Sequence, residues 1–195
     1  MNSARTFIAI ELDEALKAAL GRVQALLGEQ MPARSVRWVS PDSIHLTLKF
    51  LGDTPVEKVD EVKAALARAA AEVQSFPFVV GGVGCFPNVQ QPRVVWVGLQ
   101  EPTGALSRLQ KAVESHVVPL GFPAEKRPFS PHLTLGRVQR YASSSDARQI
   151  GNAVATSIVG ALREMSATTV AYIKSDLRPS GAVYTMLFEA RLGKI

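Results

Sequence analysis

Ser40-Pro41-Asp42-Ser43-Ile44-His45-Leu46-Thr47-Leu48 and Ser130-Pro131-His132-Leu133-Thr134-Leu135 are the two stretches whose reading decides the fold. The tetrapeptide His-Leu-Thr-Leu opens at position 45 and again at position 132, and it takes two of the chain's 3 histidines. A repeat this short is weak evidence by itself, because two His-x-Thr-x matches arise by chance in roughly a few per cent of chains this long at average composition. The matched setting sharpens it: each copy comes shortly after a Ser-Pro pair and reads as a strand. Alternate side chains on a strand share a face. His45 and Thr47 therefore point one way and Leu46 and Leu48 the other, and the second copy repeats the pattern. If the two strands lie side by side about a pseudo-twofold axis, two imidazoles and two hydroxyls converge on one cleft.

Outward from the tetrapeptides, periodicity supplies the other elements. Arg5–Leu12 alternates as a strand, and Asp13 caps a helix to about Gln30 with Leu16, Leu20, Val23 and Leu27 at helical spacing. Val36–Val39 and Ile44–Leu51 read as strands joined by a polar turn, and Gly52-Asp53 ends that unit. Thr54-Pro55-Val56-Glu57 reads as a helix start, capped by Thr54 and running to about Gln74. Phe78–Val83 and Arg93–Leu99 are strands, Thr103 to Val118 a helix, and Ser130–Val138 a strand. Tyr141–Asp146 reads as a loop and Ala147–Ile158 as a helix. Thr168–Ile173 and Val183–Arg191 close the chain around a Pro179-Ser180-Gly181 turn. The order implies duplication, with a strand, a helix and a His-Leu-Thr-Leu strand in each half. The expected class is α+β: a bilobal duplicated fold, with two mostly antiparallel sheets lining a central cleft and helices on the outer faces. No linker divides residues 1–195, which read as a single domain of two pseudo-symmetric lobes.

Bulk properties narrow the function. The chain has 195 residues, 47% hydrophobic and 20% charged, as for ordinary globular proteins. It has no apolar run of the eighteen or so residues a membrane span needs, and its first twelve residues lack a secretory apolar region. The single cysteine, Cys85, forms no internal disulfide and reads as a small buried hydrophobe, so a cytoplasmic location is expected. The net charge of +5 favours anionic partners without concentrating in a tail.

Imidazole titrates near pH 6.5 in its unperturbed state. One neutral and one protonated imidazole can deprotonate a water and protonate a leaving alkoxide, each role worth about 10²–10⁴-fold. Threonine hydroxyls can donate to phosphate oxygens and hold the phosphorus in line between the rings. Such chemistry needs no metal or other cofactor. A zinc site is a weak alternative, since no third His or nearby Cys completes a ligand set. His116, in a helical stretch, reads as a surface or capping residue.

These motifs resemble the 2H phosphoesterase superfamily, defined by two His-x-Thr-x motifs, and within it the RNA 2′,3′-cyclic phosphodiesterases, also named 2′-5′ RNA ligases. The resemblance extends through Arg5–Ile10, Val36–Val39, His45–Gly52, Phe86-Pro87, Arg93–Gly98, Arg127–Arg137, Tyr172–Leu177 and Tyr184. It implies hydrolysis of a terminal ribose 2′,3′-cyclic phosphate to a 2′-phosphomonoester. His45 would be the proton donor to the leaving O3′ and His132 the acceptor that activates water. Thr47 and Thr134 would bind the phosphate. Arg137 is either an extra phosphate-binding cation or an exposed structural residue. Phe50 is either a stacking surface for a base or, beside Leu51, core, and the core reading weighs more. For Tyr172 and Ser175, packing behind the site is preferred. The implied partners are RNA or oligonucleotide ends bearing a 2′,3′-cyclic phosphate, with no membrane, and a monomer is expected. Three rivals stay open: ligation to a 5′-hydroxyl at the same site, a non-catalytic RNA-end binding module, and another cyclic phosphodiester substrate.

Overall fold

The computed structural model describes residues 3–178 and 181–193. Among these residues the order is β1 (Ser3–Ile10), α1 (Glu14–Glu29), β2 (Val36–Trp38), β3 (Leu46–Pro55), α2 (Val59–Ala71), β4 (Phe76–Phe86), β5 (Val94–Gln100), α3 (Ala105–Val117), β6 (Leu133–Val138), α4 (Ser144–Thr156), β7 (Ala161–Ala167), β8 (Thr169–Arg178) and β9 (Gly181–Arg191). Short 3₁₀ turns at Pro41–Ser43, Val56–Lys58 and Val118–Leu120 join some of them. The strands form two sheets, β3-β1-β8-β9 and β2-β6-β5-β4-β7. Every strand pairing within them is antiparallel. Helices α2 and α3 pack on the first sheet and α1 and α4 on the second. The class is α+β, as the element order implied. The two motif strands, however, do not lie side by side: β3 edges the first sheet and β6 is an inner strand of the second.

Each helix buries the stripe its spacing announces. Asp13 caps α1, its carboxylate accepting from the Leu16 N–H at 2.7 Å, and Leu16, Leu20, Val23 and Leu27 are buried below it. Helix α4 starts earlier than its apolar pattern showed. Ser143 and Asp146 form a reciprocal capping box, so Ser144–Asp146 belong to the helix rather than to a loop.

The stretch after the first motif differs most from expectation. Gly52-Asp53 does not end the unit; β3 continues to Pro55, with Gly52 at φ 73 beside a break in the register with β1. Thr54 does not cap a helix. It is fully buried, and its hydroxyl lies 2.7 Å from that of Thr6 on β1. Helix α2 begins only at Val59, with no side-chain cap. Strand β7 is an element the pattern did not show: an edge strand with an irregular burial pattern, ordered by pairing with β4. Of the Pro179-Ser180-Gly181 turn, Pro179 and Ser180 lie outside the described residues.

The buried Thr6–Thr54 pair joins the two strands nearest the first motif. Thr54→Val keeps the volume but strands the Thr6 hydroxyl, and a drop of about 1–3 kcal/mol is expected in denaturant unfolding. The double replacement with Thr6→Val removes both polar groups, and the same titration should show it recovering most of that loss.

Candidate active site

The site is built on a local irregularity that occurs twice. In β3, Thr47 pairs with Ala9 and Lys49 with Ile8, so Leu48 is an extra residue. In β6, Thr134 pairs with Trp96 and Gly136 with Val95, so Leu135 is an extra residue. Each is a β-bulge at the last leucine of a His-Leu-Thr-Leu copy. A bulge shifts the alternation beyond it and re-aims the next side chains. Strict alternation would put residue 50 with Leu48 and residue 137 with Leu135, on the core side. The register instead pairs Phe50 with Phe7 and Arg137 with Val94, each on the same face as the preceding threonine and its partner. Phe50 is therefore not core: it is 63% exposed, its ring 6.1 Å from that of Phe7. Arg137 is exposed on the Thr134 face. Leu46, Leu48, Leu133 and Leu135 are buried on the opposite side.

Several residues hold these bulges in place. Gln24 on α1 donates to the carbonyls of Val39 and Leu135 at 2.7 and 2.9 Å, and the Val39 N–H donates to the same Leu135 oxygen at 2.8 Å. The irregular backbone of the second bulge is thus satisfied from helix and strand alike. At the first bulge the Lys49 ammonium is buried. It donates to Glu114 on α3 at 2.7 Å and to the Pro123 carbonyl at 2.5 Å. Glu114 also accepts the Glu125 N–H at 2.7 Å. Lys49 therefore ties β3 to the segment that leads into His132.

The two histidines have the same backbone anchor. His45 Nδ1 lies 3.0 Å from the Ser43 carbonyl oxygen and His132 Nδ1 lies 2.8 Å from that of Ser130. A carbonyl only accepts, so Nδ1 carries the proton in each ring and Nε2 is left for chemistry. Their surroundings differ. Phe7 stacks on His45 at 4.5 Å between centroids, and Tyr184 from β9 meets both rings edge-on at 5.2 Å. Among the described residues the aromatic neighbour of His132 is Phe86, edge-on at 4.8 Å, and Phe86 leans in turn on Trp96 at 5.2 Å. The Trp96 indole lies over Gly84, where a Cβ would fall 2.2 Å from the ring. Opposite Thr47 stands the small Ala9, and opposite Thr134 the large Trp96.

Burial in the aromatic nest pushes the His45 imidazole down to about 4, against the opposing pull of the Ser43 carbonyl. Burial also raises the Tyr184 phenol, while Arg137 and Arg5 pull it down by charge. Tyr184 on the first sheet thus touches His45 and feels Arg137 on the second. A hollow of about 210 Å³ beside His45 is lined by Glu11, Asp42, Ile173, Tyr184 and Met186, among others. Its two carboxylates disfavour a phosphate there.

The remaining candidates fall elsewhere. Tyr172 is fully buried on the far side of the sheet, opposite Ile8, whereas Ser175 is the cross-strand partner of Tyr184. His116 joins α3 to the end of α2 through Glu72 at 2.6 Å. Burial raises the Cys85 thiol to about 11, so it is not a nucleophile. Among the described residues no three His, Cys, Asp or Glu side chains gather as a metal site would need. None of their helices is long and apolar enough to cross a membrane. Sequence patterning gave no role to Arg37, which pairs directly with Arg137 on the same face. Phe7, Phe86 and Trp96, which frame the imidazoles, were likewise without one. Their signal was present only as strand alternation shared with the motifs.

Known proteins are similar to this chain in sequence and fold. The model of the LigT like phosphoesterase family matches residues 10–96 and again 97–184. A Methanothermobacter thermautotrophicus protein named RNA 2′,3′-cyclic phosphodiesterase is 32% identical over 188 residues, covering 96% of this chain and 98% of that relative. An Archaeoglobus fulgidus protein of the same name is 33% identical over 180 residues, covering 92% and 96%. The crystal structure of a Thermus thermophilus protein superposes with a TM-score of 0.79 at 29% identity, covering 96% of this chain and 97% of that one.

A depressed imidazole makes stability depend on pH. The unfolded chain takes up a proton at His45 near pH 6.5, whereas the folded protein resists it to about 4. Stability contributed by this residue is complete above pH 6.5 and is lost as pH falls toward about 4, by about 3 kcal/mol in all. Denaturant titrations from pH 7 to 4 should show this slope, and His45→Gln should flatten it.

Proposed function

The chain belongs to the LigT like phosphoesterase family, and on that premise we propose that it is an RNA 2′,3′-cyclic phosphodiesterase. It hydrolyses a terminal 2′,3′-cyclic phosphate to a 2′-phosphomonoester by two-histidine acid–base catalysis, without a metal. The observation that carries the reading is the doubled local geometry: each motif histidine is anchored on the carbonyl two residues before it, and a bulge after each His-x-Thr pair adds one further side chain to its face. Residues 1–195 are read as one domain of two pseudo-symmetric lobes, acting as a cytoplasmic monomer. The names of the relatives, RNA 2′,3′-cyclic phosphodiesterases, support the substrate class. A solved E. coli LigT holds phosphate, at 25% identity and a TM-score of 0.76, which supports a phosphate-binding cleft.

The cyclic phosphate is held by Thr47 and Thr134, with Arg137 neutralising a nonbridging oxygen. His132, the more open ring, accepts the proton of an attacking water through Nε2. His45 delivers a proton to the departing O3′, so the P–O3′ bond breaks as the new P–O bond forms and the phosphate remains on O2′. Donation requires a proton that burial removes from the empty site. The negative charge of the bound phosphodiester offsets that burial and charges the ring. Phe50, exposed beside Phe7, offers a face on which the terminal base stacks.

His45→Ala and His132→Ala should each lower kcat on a 2′,3′-cyclic nucleotide by about 10²–10⁴-fold without loss of folding by circular dichroism, and turnover should survive EDTA. Near-wild-type turnover in either variant would reject the two-imidazole mechanism, and phosphorus NMR of the products with and without a 5′-hydroxyl acceptor separates hydrolysis from ligation. The pH profiles provide a second check. An acid whose pKa rises on binding loses activity at higher pH in kcat than in kcat/KM, so the basic limb of kcat should lie above that of kcat/KM.

A further inference from the structure

The two motif threonines hold equivalent strand positions but have unlike neighbours. Across the ladder from Thr47 stands Ala9, whose methyl leaves the space above the hydroxyl open. Across from Thr134 stands Trp96, and an indole turned toward that partner would cover the hydroxyl.

The indole turns the other way. Trp96 has a second cross-strand partner, Gly84 on β4. Its ring lies so close over that glycine that a Cβ there would overlap it, within 2.8 Å of Cε2 and closer still to Cζ2 and Cη2. Further along β5, Cζ3 comes within 3.4 Å of where a Cβ on Gly98 would stand. The indole therefore rests on a floor of two glycines; Gly84 is buried beneath it and Trp96 is half-buried. Val95 and Val97 are fully buried on the opposite face, so the indole lies on the Thr134 side of the sheet.

Phe86 completes the arrangement. It stands two residues after Gly84 on the same face of β4, its ring 5.2 Å from that of Trp96 and 4.8 Å, edge-on, from the His132 imidazole. The Trp96 Nε1–H has no hydrogen-bond partner among the described residues, so the indole acts here by its shape. A methyl group at position 84 cannot coexist with this ring. Side chains move between staggered rotamers rather than by small drifts, and the other strand beside Trp96 is β6, with Thr134.

Resting on the reading of the site as a cyclic phosphodiesterase, we propose that Gly84 is a positioning residue for the reaction. Lacking a Cβ, it lets Trp96 lie across β4. That keeps the Thr134 hydroxyl open to a phosphate oxygen and backs Phe86 against His132, which fixes the proton acceptor. A glycine and a tryptophan thus give the second half of the site the open threonine that Ala9 gives the first.

The test uses the full chain with Gly84→Ala, Trp96→Ala and the double variant. Calorimetry gives the affinity for inorganic phosphate, and phosphorus NMR gives kcat on a 2′,3′-cyclic mononucleotide. In Gly84→Ala the displaced indole should weaken phosphate binding by about tenfold or more, as for a lost hydrogen bond to a charged group. The same variant should lose about 10–10²-fold in kcat as His132 shifts. Trp96→Ala should bind phosphate as the wild type does and lose only kcat. The double variant should match Trp96→Ala, because the new methyl then has no ring to displace. In a Trp38→Phe background Trp96 is the one remaining indole, and Gly84→Ala should shift its emission to the red. Wild-type phosphate affinity or unshifted emission in Gly84→Ala would overturn the assignment. So would phosphate binding that stays weak in the double variant, since the methyl would then act other than through the indole. Wild-type kcat in Trp96→Ala would overturn the support of His132. If Gly84→Ala does not fold, the phosphate affinity of the double variant decides by the same criterion. The expected order of phosphate affinities with no turnover by the wild type would instead overturn the cyclic phosphodiesterase reading and leave the clearing of Thr134 standing.

Discussion

The arrangement of this protein depends on an extra residue inserted into each motif strand. A β-strand alternates strictly, so a histidine and a threonine two apart share a face while residue 137 belongs with the leucines. The bulges at Leu48 and Leu135 break that rule at the same place in both halves. They let each strand bury the motif leucines and still present a third side chain beside the threonine. Irregular backbone of this kind needs partners for its polar groups. The carbonyl of Leu135 is met by Gln24 and Val39, and the buried Lys49 beside Leu48 by Glu114 and Pro123. The helices thus fix the bulges as well as cover the sheets.

The same geometric device is filled differently in the two halves. Five positions after the histidine, one strand supplies the aromatic Phe50 and the other the cationic Arg137. One imidazole is wrapped by Phe7 and Tyr184, and burial lowers its pKa to about 4; the other meets the edge of Phe86. A symmetric frame with asymmetric contents suits a reaction that needs one proton donor and one acceptor. Tyr184 touches one imidazole, and the charge of Arg137 on the opposite sheet acts on its phenol.

Much of the fold was legible because its elements are amphipathic. The helices α1 and α3 and the strands β1, β5 and β9 lie within a few residues of where periodicity placed them. Three features were not legible, each for a physical reason. Strand β7 lies at the sheet edge with charges at Arg163 and Glu164, so it shows no apolar alternation and is ordered by its neighbour β4. Thr54-Pro55 has the composition of a helix start, yet the hydroxyl found its partner in Thr6, 48 residues away in sequence. Phe50 beside Leu51 reads as core until a bulge turns it outward.

From its residues alone the chain declared a doubled His-x-Thr-x motif on strands, an α+β class, and the pairing of imidazole with hydroxyl, because alternation and residue chemistry are local properties. Tertiary structure decided which strands are neighbours, which of the two imidazoles is desolvated, and that Phe50, Arg37 and Arg137 share faces with the motif threonines. Those facts depend on register and on what packs against each ring. Register is settled only when distant strands pair, and a pKa only when distant side chains exclude water.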